Sequence, residues 1–105
     1  MMVSPPVVMV NKNKKGILLM TWNVRGLGDK VKRKAMFKYF DKMKPQVICL
    51  QETHMRPDSI YLLNSRKYPM QYHSTHTSYS RGGSVMISVN ITFECIQQQV
   101  DREGR

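Results

Sequence analysis

Two apolar runs with an amphipathic stretch between them occupy the first half of the chain. This pattern predicts a strand, a helix and a second strand. Residues 17–23, "ILLMTWN", form an almost continuous apolar run, which is typical of a strand covered on both faces. Residues 46–51, "QVICLQ", have the same character. Because the three elements fall within about 35 residues, they predict a βαβ unit whose two strands are parallel.

The segment between these strands has the three-to-four residue spacing of an amphipathic helix. Its apolar positions are Ala35, Met36, Tyr39, Phe40 and Met43, and mainly the other face carries Lys30, Lys32, Arg33, Lys34, Lys38 and Lys42. Asp29 is placed to cap the first turn, because its side-chain oxygen can accept from a backbone N–H there. The helix is predicted to end near Lys44, because the residue before Pro45 is steered away from helical backbone angles.

The pattern after residue 58 predicts mainly strands. Residues 59–66 carry enough apolar side chains for a short helix. Beyond it, "MQYHSTH" and "SVMISVN", residues 70–76 and 84–90, are predicted strands joined by a turn that contains Gly82 and Gly83. The last apolar segment, residues 91–100, predicts a further strand before a turn at "DREGR".

Length and composition predict one small folded domain. The chain has 105 residues, of which 41% are hydrophobic and 23% charged, and this is ordinary usage for a globular protein. We expect the domain to span residues 16–105 and residues 1–15, which include "NKNKK", to form a flexible basic arm. No run approaches the roughly 20 apolar residues that a membrane span needs, so no membrane association is predicted.

The two cysteines bear on the cellular compartment. Cys49 and Cys95 lie in apolar stretches, without a CxxC motif or a Cys/His spacing that suggests zinc. We interpret them as buried, reduced thiols with no disulfide partner. Because the N-terminal segment also lacks the features of a signal peptide, the protein is predicted to be cytoplasmic or nuclear.

The balance of charge favours a polyanionic partner. The chain has 17 Lys and Arg against 7 Asp and Glu, a net charge of +10, and eleven of the cations lie between Lys12 and Lys44. Nucleic acid is the commonest such partner, because each neutralised phosphate releases counterions. Lys32, Arg33 and Lys34 are the helix cations that we expect to contact it. A solvated helix face and a basic arm account for the same charge equally well.

Two polar residues stand at equivalent places in the predicted strands. Asn23 ends the first strand and Glu52 directly follows the second. Parallel strands have their carboxyl ends at one edge of the sheet, where open α/β sheets bind ligands. A carboxylate at such an edge suits Mg²⁺, which commonly binds one or two protein carboxylates together with water and phosphate. On spacing alone, the more common arrangement is that Glu52 points into solvent and Asn23 begins a turn.

Four motifs resemble a known family in order and approximate spacing. They are "TWNVRGLG", "VICLQETH", "SRGGSVMIS" and "DREGR", which together cover about Ile17 to Arg105. The chain resembles the N-terminal part of the endonuclease/exonuclease/phosphatase family, particularly the apurinic-type endonuclease domain of LINE-type retrotransposon reverse-transcriptase proteins. The first two motifs in combination are the specific ones. The resemblance implies an α/β fold, the N-terminal portion of a two-sheet, DNase I-like sandwich.

The resemblance also implies roles for single residues. Glu52 corresponds to the family's Mg²⁺ ligand, and Asn23 to the active-site asparagine that orients the metal-bound or phosphate-bound network. Thr53 is then a supporting neighbour, and Arg25 approaches the nucleic-acid backbone. In this family the catalytic histidine, its aspartate partner and the Asp-x-Asn pair follow later in the domain, beyond the motifs present here.

The histidines of this chain are not convincing substitutes for that catalytic base. His54 is assigned a local structural or substrate-side role, and His73 and His76 are interpreted as exposed or hydrogen-bonded. We interpret Asp101 and Glu103 as turn residues. The sequence therefore predicts a truncated Mg²⁺-dependent endonuclease domain of retrotransposon origin that is inactive alone. The alternative is a small basic nucleic-acid-binding protein without catalysis.

Overall fold

The computed structural model describes residues 7–9, 18–75 and 82–91, which form a five-stranded mixed sheet with a helix packed against it. The elements in chain order are β1 (Val7–Met9), β2 (Leu19–Asn23), α1 (Lys30–Met43), β3 (Val47–Gln51), a 3-10 helix (Ile60–Leu63), β4 (Met70–Ser74) and β5 (Gly83–Ile87). The strands lie side by side in the order β1-β2-β3-β5-β4. Within these ranges, no helix combines the length and apolarity needed to cross a bilayer.

The predicted βαβ unit is confirmed. Strands β2 and β3 are parallel, with Leu19 opposite Val47 and Asn23 opposite Gln51, and α1 connects them. Both strands therefore end at the same side of the sheet. We call this side, formed by Asn23, Gln51 and the residues that follow each of them, the carboxyl edge.

Both ends of α1 follow from its sequence. The Asp29 Oδ1 accepts a hydrogen bond from the Val31 N–H at 2.8 Å, as the predicted N-cap requires. The helix ends at Met43, and Lys44 adopts a left-handed conformation with its N–H donating to the Phe40 carbonyl at 2.7 Å. This bond satisfies a carbonyl of the last turn, and the proline that follows cannot continue the helix.

The core lies between α1 and one face of the sheet. Its buried residues include Met20, Trp22, Ile48 and Leu50 from the strands and Met36 and Phe40 from the helix. The ring of Phe40 is centred 6.4 Å from Trp22, 5.6 Å from Phe37 and 5.7 Å from Tyr68. These edge-on contacts are the favoured geometry for aromatic pairs. The predicted core positions of Trp22 and Phe40 are confirmed.

Tyr68 belongs to this core as well. It is buried, and its hydroxyl donates to the Pro45 carbonyl at 2.6 Å. Burial, with a smaller effect from the nearby Asp41 carboxylate, raises the pKa of Tyr68 to about 12. The hydroxyl therefore stays protonated and donating across the physiological range.

The other face of the sheet is only half-buried, which corrects the expectation that β2 and β3 are covered on both sides. Leu19, Thr21, Val47 and Cys49 alternate with the core residues and remain partly exposed. Partial burial raises the pKa of the Cys49 thiol. One sheet with a helix on one face is consistent with part of the predicted DNase I-like sandwich.

The two later strands are confirmed as an antiparallel pair. Met70 lies opposite Ile87 and Ser74 opposite Gly83, and β5 also pairs antiparallel with β3. The predicted helix over residues 59–66 is a shorter 3-10 helix, Ile60–Leu63. Most of the predicted connecting turn, the predicted strand over residues 91–100 except Ile91, and the turn at "DREGR" lie outside the described residues.

Part of the segment predicted as a flexible arm is a strand. Val7–Met9 forms β1, which pairs antiparallel with β2 and places Val7 opposite Thr21. The pattern did not reveal this because a three-residue strand is too short for a period-two signal. The rest of residues 1–15 lies outside the described residues.

Candidate functional site

The loops that leave β2 and β3 remain paired beyond the strands. The Val24 N–H donates to the Gln51 carbonyl at 3.1 Å, and the Gly26 N–H donates to the Glu52 carbonyl at 2.7 Å. The Leu27 N–H donates to the Thr53 carbonyl at 2.9 Å. The carboxyl edge is therefore a hydrogen-bonded frame, which fixes the backbone positions from which its side chains project.

Asn23 and Glu52 are in direct contact on this frame. The Asn23 Nδ2 donates to the Glu52 Oε2 at 2.6 Å, and the Asn23 Oδ1 accepts from the Arg25 N–H at 3.2 Å. Because both ends of the amide are engaged, its orientation is set. The Glu52 side chain is 47% exposed, so its second oxygen, Oε1, can reach a ligand from solvent. The structure brings together the pair predicted from spacing, while the catalytic and metal-binding roles stay predictions.

The backbone at this edge adopts uncommon conformations. Arg25, Glu52 and His54 have φ angles of 48°, 53° and 56°, in the left-handed region. This region costs a residue with a Cβ about 1–2 kcal/mol. In a continued strand, Glu52 would project to the face opposite Asn23, so the left-handed turn is what lets the carboxylate reach the amide. Strained residues cluster at functional sites, which agrees with a role for this edge.

His54 lies beside the carboxylate, supported by a glycine. Its Nε2 is 4.0 Å from the Glu52 Oε1. Gly26 has a φ of 96°, and a Cβ there would lie 2.8 Å from the His54 Nδ1. The ring therefore occupies space that any other residue at position 26 would fill. The local structural role predicted for His54 is consistent with this contact, whereas the need for glycine opposite it was not visible in the sequence.

Gly82, which directly precedes β5, contacts the loop that follows β3. Thr53 is 1% exposed, and its N–H donates to the Gly82 carbonyl at 3.2 Å. A Cβ at Gly82, whose φ is 119°, would lie 2.7 Å from the Thr53 Oγ1. Sequence reasoning assigned Gly82 only to a turn. Its contact with Thr53 joins positions 29 residues apart, and no local pattern signals such a contact.

The four predicted nucleic-acid-binding cations occupy three different settings. Arg25 is exposed at the carboxyl edge. The Lys32 Nζ donates to the Arg25 carbonyl at 3.1 Å, and the Arg33 Nη1 donates to the carbonyls of Leu27 and Gly28 at 2.8 and 2.9 Å. These two half-buried side chains hold the loop before α1. Lys34 is exposed on the outer face of the helix, so the four cations do not form one patch.

His73 lies on β4, away from Asn23 and Glu52 in the sheet. Gln71 donates its Nε2 to the carbonyls of Leu63 and Tyr68 at 2.8 and 2.9 Å, so its Oε1 accepts from the His73 Nε2 at 3.1 Å. The Ser84 hydroxyl then donates to the His73 Nδ1 at 2.7 Å. Burial lowers the pKa of His73 and favours this neutral form. The hydrogen-bonded interpretation of His73 is confirmed, and His76 lies outside the described residues.

The donor set at the carboxyl edge fits Mg²⁺ better than it fits structural zinc, which needs a closed set of protein ligands. Within residues 7–9, 18–75 and 82–91, no three His, Cys, Asp or Glu side chains cluster as metal ligands. Structural zinc needs about four such ligands, whereas Mg²⁺ is often held by one or two carboxylates and keeps its remaining waters. Glu52 fits as a single carboxylate ligand, because its side chain is half-exposed, with Oε2 bound by Asn23 and Oε1 4.0 Å from the His54 Nε2.

A comparison with protein-family models agrees with this geometry. The model of the endonuclease/exonuclease/phosphatase family matches residues 20–104, which is most of the chain. The match includes nearly all of the βαβ unit, together with Asn23 and Glu52. Members are hydrolases of the nuclease and phosphatase type and generally depend on a divalent metal. The chain belongs to the endonuclease/exonuclease/phosphatase family.

Proposed function

We propose that this chain supplies the metal-binding part of a Mg²⁺-dependent endonuclease domain, with Glu52 as the metal ligand and Asn23 as the residue that orients it. The observation that carries the proposal is the 2.6 Å hydrogen bond between the two side chains at the ends of adjacent parallel strands. Family membership supports phosphoester hydrolysis as the reaction class. The net charge of +10 supports nucleic acid as the substrate.

Each residue of the carboxyl edge has a defined part in this proposal. Asn23, held by the Arg25 N–H, fixes Glu52 Oε2 and leaves Oε1 directed at the ligand. Arg25 is an exposed cation at the same edge, and its guanidinium can pair with a backbone phosphate. A bound Mg²⁺ supplies Lewis acidity, which polarises a phosphoryl oxygen and stabilises the charge that develops on it.

The alternative of a basic binding protein without catalysis is less well supported. A carboxylate at the edge where phosphate is to bind repels the phosphate unless a cation lies between them. Glu52 is half-exposed at that edge and Asn23 orients it, which suits metal binding more than plain charge attraction. Family membership likewise favours the hydrolase lineage.

We expect the 105-residue chain by itself to show no Mg²⁺-dependent nicking of supercoiled plasmid DNA. The resemblance places the family's catalytic histidine and its aspartate partner later in the domain than the motifs found here. Among the described residues, His73 is held between Ser84 and Gln71 on β4, away from the carboxyl edge. The measurement is the fraction of relaxed plasmid after incubation with Mg²⁺, compared with a chelator control. Nicking by the wild-type chain that Glu52→Ala abolishes would show that the residues here are sufficient, and would contradict this expectation.

We further propose that the domain is of retrotransposon origin. The support is the combination of "TWNVRGLG" and "VICLQETH" at the two strand ends, which resembles LINE-type endonuclease domains. Sequencing the genomic DNA on both sides of the coding region is expected to reveal a reverse-transcriptase reading frame and multiple dispersed copies. A single-copy gene without such a frame nearby would count against this origin while leaving the metal site untouched.

A further inference from the structure

Four lysines form a row along the outer face of α1. They are Lys30, Lys34, Lys38 and Lys42, all exposed, and we call them the lysine row. Positions four apart lie about 6 Å apart along a helix and about 40° apart around it, so the row is about 18 Å long and turns about 120° around α1. It lies on the side of α1 opposite Met36 and Phe40, which are buried against the sheet.

The carboxylates among the described residues have other contacts, although Asp41 stands three residues from Lys38 and lowers the net charge at that end of the row. Asp29 caps α1, and the Asp41 Oδ1 accepts from the Lys67 Nζ at 2.6 Å. Glu52 is bound by Asn23, and Asp58 lies 3.9 Å from the Arg56 Nε. Like charges four residues apart on a helix repel each other, so the row is unfavourable for the isolated helix and is relieved by an external anion.

We propose that the lysine row is a second nucleic-acid-binding surface, which holds the phosphate backbone by charge and is separate from the carboxyl edge. Lys32 and Arg33 do not belong to it, because their side chains are bound to loop carbonyls. Contacts of this kind position nucleic acid without reading its sequence. A membrane is a poorer partner, because the apolar face of α1 is buried in the core and cannot enter a bilayer.

The test compares two double variants that remove the same charge from the full chain. Lys34→Gln with Lys38→Gln neutralises the middle of the row, and Gln preserves helix propensity. The control, Lys44→Asn with Arg66→Gln, neutralises two exposed cations outside it, and Asn tolerates the left-handed backbone of position 44. Binding to a labelled DNA duplex is measured by fluorescence anisotropy from about 50 to about 200 mM salt. A chelator is present, so the result is independent of metal binding at Glu52.

The row variant is expected to reduce the slope of log affinity against log salt by about 2, since each phosphate contact contributes about 0.9. The control variant is expected to keep the wild-type slope. An equal reduction of this slope in both variants would mean that net charge alone attracts DNA and would overturn the proposal. An unchanged slope in the row variant would overturn it too, as would row-dependent binding to phosphatidylserine vesicles without row-dependent DNA binding.

Discussion

Glu52→Gln is expected to weaken Mg²⁺ binding by roughly tenfold or more, because a hard cation needs the carboxylate charge that the amide lacks. Gln preserves the size of the side chain and can still accept from the Asn23 Nδ2, so the contact across the carboxyl edge survives. The loss is then one of charge rather than of structure. The measurement is an NMR titration with Mg²⁺ that follows the backbone amides of residues 23–27 and 51–54.

The matched control for this prediction is Asp41→Asn, which removes the same charge at the far end of α1. Asp41 contacts Lys67 and lies one turn or less from the end of the helix, away from the carboxyl edge. We expect it to leave the Mg²⁺ response of the edge residues unchanged. If Asp41→Asn weakens Mg²⁺ binding in the NMR titration as much as Glu52→Gln does, then Mg²⁺ is attracted by the overall charge and Glu52 is not its ligand.

Gly82→Ala is expected to destabilise the fold by roughly 2–3 kcal/mol and to disturb the loop that carries Glu52. Two costs combine, since a φ of 119° is unsuited to alanine and the new Cβ would lie 2.7 Å from the Thr53 Oγ1 and 3.2 Å from the Ser74 carbonyl. Thr53 is buried and cannot move freely. Urea unfolding at constant m value measures the loss in the free energy of unfolding.

Gly28→Ala is the glycine control for that substitution. Position 28 has no left-handed backbone, and its Cβ would meet no atom within 4 Å. At such a site alanine lowers the entropy of the unfolded chain, so we expect a change between zero and a gain of about 1 kcal/mol. Equal stability of the two variants would show that the close approach of Gly82 to Thr53 does not constrain the fold.

Features encoded within short stretches were predictable. The apolar runs of β2 and β3, the spacing of α1, its Asp29 cap and its end before Pro45 each depend on neighbours along the chain, and each is observed. Features that join distant stretches were not. The pairing of β1 with β2, the partial exposure of one face of the sheet and the burial of Tyr68 depend on which elements meet in space.

The sequence by itself determined that Asn23 and Glu52 stand at the ends of two parallel strands, because a βαβ unit of this length brings both strand ends to one edge. Only the tertiary structure decided how the edge is built. The left-handed turn at Glu52, His54 packed on Gly26, and Gly82 beneath Thr53 all depend on contacts between backbone segments about 28 residues apart. Residue patterns indicate burial and local conformation, whereas the direction in which a carboxylate side chain points depends on the loops packed around it.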